Sequence, residues 1–380
     1  MTQPATAPTS SQADRLASLL GFLDSDPGNL PLLADAAEAA LDAGQPDTAR
    51  ALLDRYAAHA PLPPRERNLA GLAAMQAGRF DAAADAFRAL IAEGAEAPGL
   101  RFNLAWSLAM GKDFAGALEV LDDASASALP QAAMLRVQLL HQAGDIAQAE
   151  AAARDYMALY PDDRGLMAAI SVLAIDIEDE ELAAKAAAIG GDHPDALTTQ
   201  GTLALGHDNA VAARALFDQA LARNPAAPRA LIGRGLARML SGETAAAPAD
   251  LDRGAEIFAT HLGSWIGAGW SHFVNGDRAT ARARFETALA IDDTFAETHG
   301  SLAVLDMLDG DSASAERRSA VALKLDRQCY SAALARTLLA AARNDPATAQ
   351  RIFDRALHTP IDGSGRTIAA ALAKMGMRLG

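Results

Sequence analysis

Small and apolar residues return along this chain on a fixed period. A short segment opens with glycine or a substitute and closes with alanine five residues later. The closing alanines stand at 49, 83, 117 and 149, then at 213, 247, 281, 315 and 349. Successive gaps are 34, 34 and 32 in the first group and 34 throughout the second. The openings are Gly44, Gly78, Gly144, Gly242, Gly276 and Gly310, with Lys112, Asp208 and Asn344 in their place in three units. Twelve residues before most of these alanines lies a small residue: Ala37, Gly71, Ala105, Gly201, Gly235, Gly269 or Ala303. Four residues after, a large one recurs as Phe87, Phe217, Phe285 and Phe353. Ala220, Ala288 and Ala356 follow three later, and Pro27, Pro61, Pro161, Pro194 and Pro225 close units.

This pattern predicts helical hairpins. Glycine ends a helix because it accepts the left-handed backbone without a Cβ clash. Asp or Thr just after it suits the start of the next helix. The small residues allow close helix approach, the phenylalanine plugs the next hairpin, and proline stops the second helix. Between Pro161 and Pro194 the glycine–alanine pair is missing. Leu182 is read there in the alanine's place, and Asp176, Glu178, Asp179, Glu180 and Glu181 crowd the turn. The acids suit a helix start. Counting that degenerate unit, ten hairpins are expected. Leu16, Leu19, Leu20 and Leu23 at helical spacing predict an N-terminal cap, and Ser364–Met377 reads as a closing helix.

The repeat resembles the tetratricopeptide family, whose pattern is Trp-x2-Leu-Gly-x2-Tyr, then Ala, Phe, Ala and Pro. The unit at 262–295 carries Trp265, Gly269, Gly276, Ala281, Phe285 and Ala288, and the unit at 194–227 keeps Gly201, Ala213, Phe217, Ala220 and Pro225. The resemblance runs from about Leu30 to Ile361. It implies an all-α fold, a right-handed α-solenoid of about ten hairpins with capping helices at both ends. The expected organisation is a disordered tail over 1–12, an N-terminal cap over 13–27 and a first array over 28–161. A degenerate unit over 162–194, also a candidate hinge, leads to a second array over 195–361 and a C-terminal cap over 362–380.

The resemblance also places a binding groove along the first helix of each hairpin. On the family frame the groove residues are Asn68, Met75, Phe102, Trp106, Met110, Met134, Gln138, Met239, Trp270, Phe273 and Met307. Aromatic and methionine side chains make adaptable apolar surfaces. The same spacing also fits residues packed in the core. Some members clamp a peptide carboxylate with Lys and Asn on these helices. Here the clamp positions hold Asn68 and Leu72, Phe102 and Trp106, then Met134 and Gln138, with no lysine.

Composition narrows the function. Hydrophobic residues make up 51% of 380 and aromatics 5%, and alanine dominates the apolar count, which favours helices over strands. Forty-eight acidic against 33 basic residues give a net charge of −15, which disfavours nucleic acid and points to a protein or peptide partner, basic and amphipathic in one version. A single cysteine, Cys329, excludes an internal disulfide and a Cys-based zinc cluster. Neither a signal peptide nor a transmembrane segment is read, so a cytoplasmic location is expected. The eight histidines form neither His-x3-His nor His-Glu-x2-His, and Gly363-Ser-Gly-Arg-Thr367 lacks the lysine of a phosphate loop. The expectation is therefore no catalysis, metal or cofactor. The chain would be an adaptor or chaperone-like scaffold. The alternatives are a self-associating structural scaffold or a non-catalytic accessory subunit of an enzyme.

Overall fold

The computed structural model describes residues 10–359, with 367 and 369. The described chain is helical and falls into two compact units, Met1–Gly190 and Gly191–Gly380. In the first, α1 (Ser10–Ser25) precedes five hairpins. They are α2/α3 (Leu30–Asp42, Pro46–Ala57), α4/α5 (Pro64–Gln76, Phe80–Ala92) and α6/α7 (Pro98–Met110, Phe114–Val120), the last followed by the single turn α8 (Asp123–Ala126). Then come α9/α10 (Pro130–Gln142, Ile146–Leu159) and α11/α12 (Arg164–Asp176, Glu180–Gly190). The second unit holds α13/α14 (Pro194–Gly206, Ala210–Arg223), α15/α16 (Pro228–Leu240, Ala247–Phe258) and α17/α18 (Leu262–Val274, Arg278–Ile291). It ends with α19/α20 (Ala296–Leu308, Ser312–Leu325) and α21/α22 (Tyr330–Ala342, Pro346–His358).

Every hairpin turns through one left-handed residue. Glycine fills that position at 44, 78, 144, 242, 276 and 310, with φ between +66° and +87°. Lys112, Glu178, Asp208 and Asn344 fill it elsewhere at φ of 69°, 59°, 60° and 55°, at about 1–2 kcal/mol each for the Cβ clash. The second helices then start on side-chain caps. Asp113, Asp145, Asp179, Asn209, Asp277, Asp311 and Asp345 each accept from the amide three residues on. This satisfies donors that a helix start otherwise leaves unpaired.

The degenerate unit differs from its sequence reading. Glu178 takes the glycine's left-handed role, and Ala183, not Leu182, is the closing alanine, fully buried and 34 residues after Ala149. The shortening lies in α12, which has 11 residues where α14 has 14. The 32-residue gap has a similar cause. The second helix breaks after Val120, Leu121 stays buried, and Arg136 donates to its carbonyl at 2.6 Å.

Packing follows the repeat. The closing alanines are 0% exposed from Ala49 to Ala315. Phe87, Phe217 and Phe285 are likewise fully buried. Phe353 holds the same place in the last described hairpin and is 39% exposed, beside a cavity of about 610 Å³ that it lines with Ala341 and Ala349. At the other end α1 begins at Ser10, so Ser10–Gln12 are helical where a tail was expected. Leu16 and Leu23 of α1 are 3% exposed against the first hairpin. The expected C-terminal cap, its apolar segment 368–379 and most of the Gly363–Thr367 stretch lie outside the described residues.

Candidate protein-binding surface

In the helices that open each hairpin, the repeat frame assigns the groove to positions 2, 5, 9, 12 and 13. The structure exposes them unequally. In the second unit Leu236, Leu240, Val274, Leu308 and Leu334 are 40, 52, 52, 37 and 38% exposed. All five lie at these positions. In the first unit no large aliphatic or aromatic side chain on α2, α4, α6, α9 or α11 is exposed to that degree.

The residues expected from sequence sit at this surface to different depths. Trp106 is 9% exposed and packs at 6.2 Å from the Phe102 ring, so it belongs mainly to the interior of the first unit. Asn68, Met75, Phe102, Met110, Met134 and Gln138 are half-buried. In the second unit Trp270 meets Phe273 edge-on at 5.1 Å and Phe285 at 5.6 Å. It therefore braces the plug of its own hairpin while keeping part of its ring outside. Phe273 and Met307 are half-buried, and Met239 packs against Leu251 and Ala268. Leu236, Leu240, Leu308 and Leu334 were not singled out from sequence, although the same frame places them.

The two units differ in polarity. Residues 1–190 hold 13 basic and 27 acidic side chains, whereas 191–380 hold 20 and 21. In the first unit His141 Nε2 lies 2.9 Å from Asp176 Oδ2, and the side-chain oxygens of Asn68 and Gln138 are buried without a hydrogen-bond partner. In the second unit the charges turn inward in pairs. Asp250, 6% exposed, accepts from Arg234 at 2.6 and 2.8 Å and from Arg238 at 2.5 Å. Asp306 lies 2.9 Å from Arg282 and 3.0 Å from Arg318. Asp252 meets Arg284 at 2.8 Å and His272 at 2.9 Å. Burial pushes the Asp252 carboxyl up, but the hydrogen bonds from Arg284 and His272 outweigh it and hold the group below its ordinary range. These clamps tie neighbouring helices together and occupy the guanidinium groups.

Little of this is arranged for chemistry. Cys329 is buried, caps α21 by accepting from the Ala332 amide, and is pushed up to about 12 by burial and then by Glu297. A thiol at that value is not a nucleophile at neutral pH. Among the described residues no three of His, Cys, Asp and Glu converge as a metal site, and no helix is long and apolar enough to cross a membrane.

The tetratricopeptide-repeat family profile matches residues 34–98, 68–130 and 198–261. No curated protein matches the chain by sequence. Solved structures of similar fold include a monomeric mutant of IFIT1 with Gppp-AAAA, at 11% identity over 91% of this chain and 94% of that one, TM-score 0.53. Another is the human IFIT1 dimer with PPP-AAAA, at 12% identity over 94% and 97%, TM-score 0.52. At such identity the likeness concerns fold alone, and it agrees with a solenoid of stacked helical hairpins. The profile matches fall on hairpins built to one turn geometry and one buried-alanine frame, and the matched segments are accordingly tetratricopeptide repeats, continued by hairpins of the same frame.

Proposed function

We propose that this protein is a non-catalytic interaction scaffold, a cytoplasmic adaptor or chaperone-like module, that seats a partner peptide or helix on the outward faces of its opening helices. The observation that carries this reading is the set of exposed aliphatic side chains Leu236, Leu240, Val274, Leu308 and Leu334 at one repeated position set. Their own unit packs without them, and exposed apolar area that recurs in register marks a contact surface. Met239, Trp270, Phe273 and Met307 supply its half-buried, adaptable floor. In the first unit we assign the corresponding role to Asn68, Met75, Phe102, Met110, Met134 and Gln138, with Trp106 supporting them from below.

The compared IFIT1 structures hold Gppp-AAAA and PPP-AAAA. A phosphate ligand suits this chain poorly. Its net charge is −15, and Arg234, Arg238, Arg282 and Arg284 are engaged by carboxylates. The test is affinity capture from native cytosol with the wild type, a Leu240→Glu/Val274→Glu variant and a Met75→Glu/Met110→Glu variant. A partner lost with either folded variant supports the reading, and a partner kept by both places binding elsewhere.

Self-association is the second reading, favoured by one observation. Phe353 is 39% exposed where its equivalents are fully buried. Sedimentation of the wild type and Phe353→Glu decides it: a concentration-dependent oligomer lost in the variant supports it, and a monomer in both refutes it.

A further inference from the structure

The chemistry of the second unit's face selects the conformation of what binds there. Counted from the first residue of each helix, positions 5, 9, 12 and 13 of α15, α17, α19 and α21 carry sixteen residues, none of them charged. Two of them, Gly300 and Val304, are buried, whereas position 2, at the start of the helices, brings in Arg229 and Glu297. Only the indole of Trp270 among the sixteen bears an N–H or O–H in its side chain. The unit's first opening helix, α13, adds Thr198 and Thr202, whose hydroxyls donate to the carbonyls of Pro194 and Thr198. An extended peptide laid on such a surface would bring unpaired amides and carbonyls against hydrocarbon. Each buried polar group left without a partner costs about 1–3 kcal/mol. A helix satisfies its own backbone and presents only side chains. The first unit offers the contrast. The same positions of its helices hold Asn68, Gln76, Gln138, His141, Gln142 and Asp176, which can bond a peptide backbone.

Length and charge narrow the occupant further. Packed helices lie about 8–10 Å apart, so four opening helices span about 27 Å. A helix of about 18 residues covers that distance at 1.5 Å per residue. The edge of the face beyond position 13 is the row of hairpin turns, and it is acidic: Asp277, Asp311 and Asp345, with Glu243 and Asp309 there already paired to Arg214 and Arg282. Asp277, Asp311 and Asp345 are held below the ordinary carboxylate range by hydrogen bonds from Thr280, Ser314 and Thr348, and so stay ionised. The basic residues at that edge are already engaged, Arg278 near Asp309 at 3.8 Å and Arg343 on Glu316 at 2.6 Å.

We infer that the opening-helix face of the second unit binds an amphipathic α-helix of a partner protein, apolar side down, with lysine or arginine along the flank that meets the turns. This rests on the scaffold reading and gives it a ligand class. The probes are three labelled synthetic peptides of about 18 residues with one shared leucine face. One carries lysine flanks, one glutamate flanks, and one lysine flanks with two central prolines. Binding to the full chain is read by fluorescence anisotropy, with helicity followed by circular dichroism.

The lysine-flanked helix should bind about tenfold or more tighter than either of the others, and should lose about tenfold with Leu240→Glu/Val274→Glu. It should be unaffected by Leu159→Glu, an exposed position on the closing helix α10 of the first unit. Equal binding of the proline-broken peptide overturns the helical ligand, and equal binding of the glutamate peptide overturns the charge match. Binding of none of the three overturns this docking site. The scaffold reading is then judged separately by whether captured partners depend on either face.

Discussion

Gly233 offers a test of the packing that holds the binding face in place, because its effect should change sign with one neighbour. It lies in α15, and a Cβ built on it would fall 2.3, 2.5 and 2.7 Å from three ring atoms of Phe217. Phe217 belongs to the preceding hairpin and is fully buried. Gly233→Ala therefore forces the ring or the helix to move, which costs about 1–3 kcal/mol in a well-packed core. Against this, alanine is better than glycine in a helix interior by about 1 kcal/mol. The net expectation in the wild type is a loss of about 0–2 kcal/mol. In a Phe217→Ala background the ring is gone, the clash vanishes and only the helix gain of about 1 kcal/mol remains. Phe217→Ala itself should cost about 3–5 kcal/mol through the cavity it leaves. The double-mutant cycle should thus show a coupling of about 1–3 kcal/mol, the clash itself. Urea unfolding, with hydrogen exchange of the α14 and α15 amides to localise the change, measures all four corners. A Gly233→Ala variant that stabilises the wild type, or costs the same in both backgrounds, refutes the plug geometry.

Three further predictions follow from the charged and nucleophilic groups. Asp250→Ala leaves Arg234 and Arg238 facing each other in a largely buried site and should lower stability by about 3 kcal/mol, read as a shift in the urea midpoint. Asp252 is held below its ordinary range, so its ionised form stabilises the fold above the unfolded value of about 3.9, and that stability disappears as pH falls through the lower folded value. Wild-type urea midpoints should therefore fall on acidification below about pH 4, with a shallower slope in Asp252→Asn; identical slopes would refute the assignment. Cys329, pushed up to about 12, should resist maleimide at neutral pH and react at a rate set by opening of the last hairpins, so destabilising Ala335→Gly should speed labelling.

The hairpin frame was legible because it rests on residues with few substitutes. A buried alanine at each helix crossing and a residue able to turn left-handed leave a strict spacing in the chain. The frame was misread where that chemistry was replaced. Glu178 adopts φ of 59° with no glycine to announce it, so the closing alanine was sought at 182 when the arithmetic from Ala149 pointed to 183. The ion-pair clamps on Asp250, Asp252 and Asp306 left no comparable trace. Their partners come from different helices, 16 residues apart for Arg234 and Asp250 and 32 for Arg284 and Asp252. No single periodicity joins them.

The candidate surface was legible in address but not in depth. Trp106 and Trp270 hold the same repeat position, yet the first is 9% exposed and the second keeps its outer part free above Phe285. A tryptophan ring at such a position is large enough to reach back into the core. The residues that stay outside are Leu236, Leu240 and Val274, too short to fold back over the helix on which they stand. Core positions are filled to a fixed volume in both units, so alanine and phenylalanine recur there. The outward positions carry no such volume constraint. They mix amides with methionine and aromatic side chains in the first unit and are mostly hydrocarbon from α15 onward in the second, without disturbing a single hairpin. On the proposed reading that difference reflects what each face meets: a backbone to be hydrogen-bonded in the first unit, and a helix that needs only apolar contact in the second.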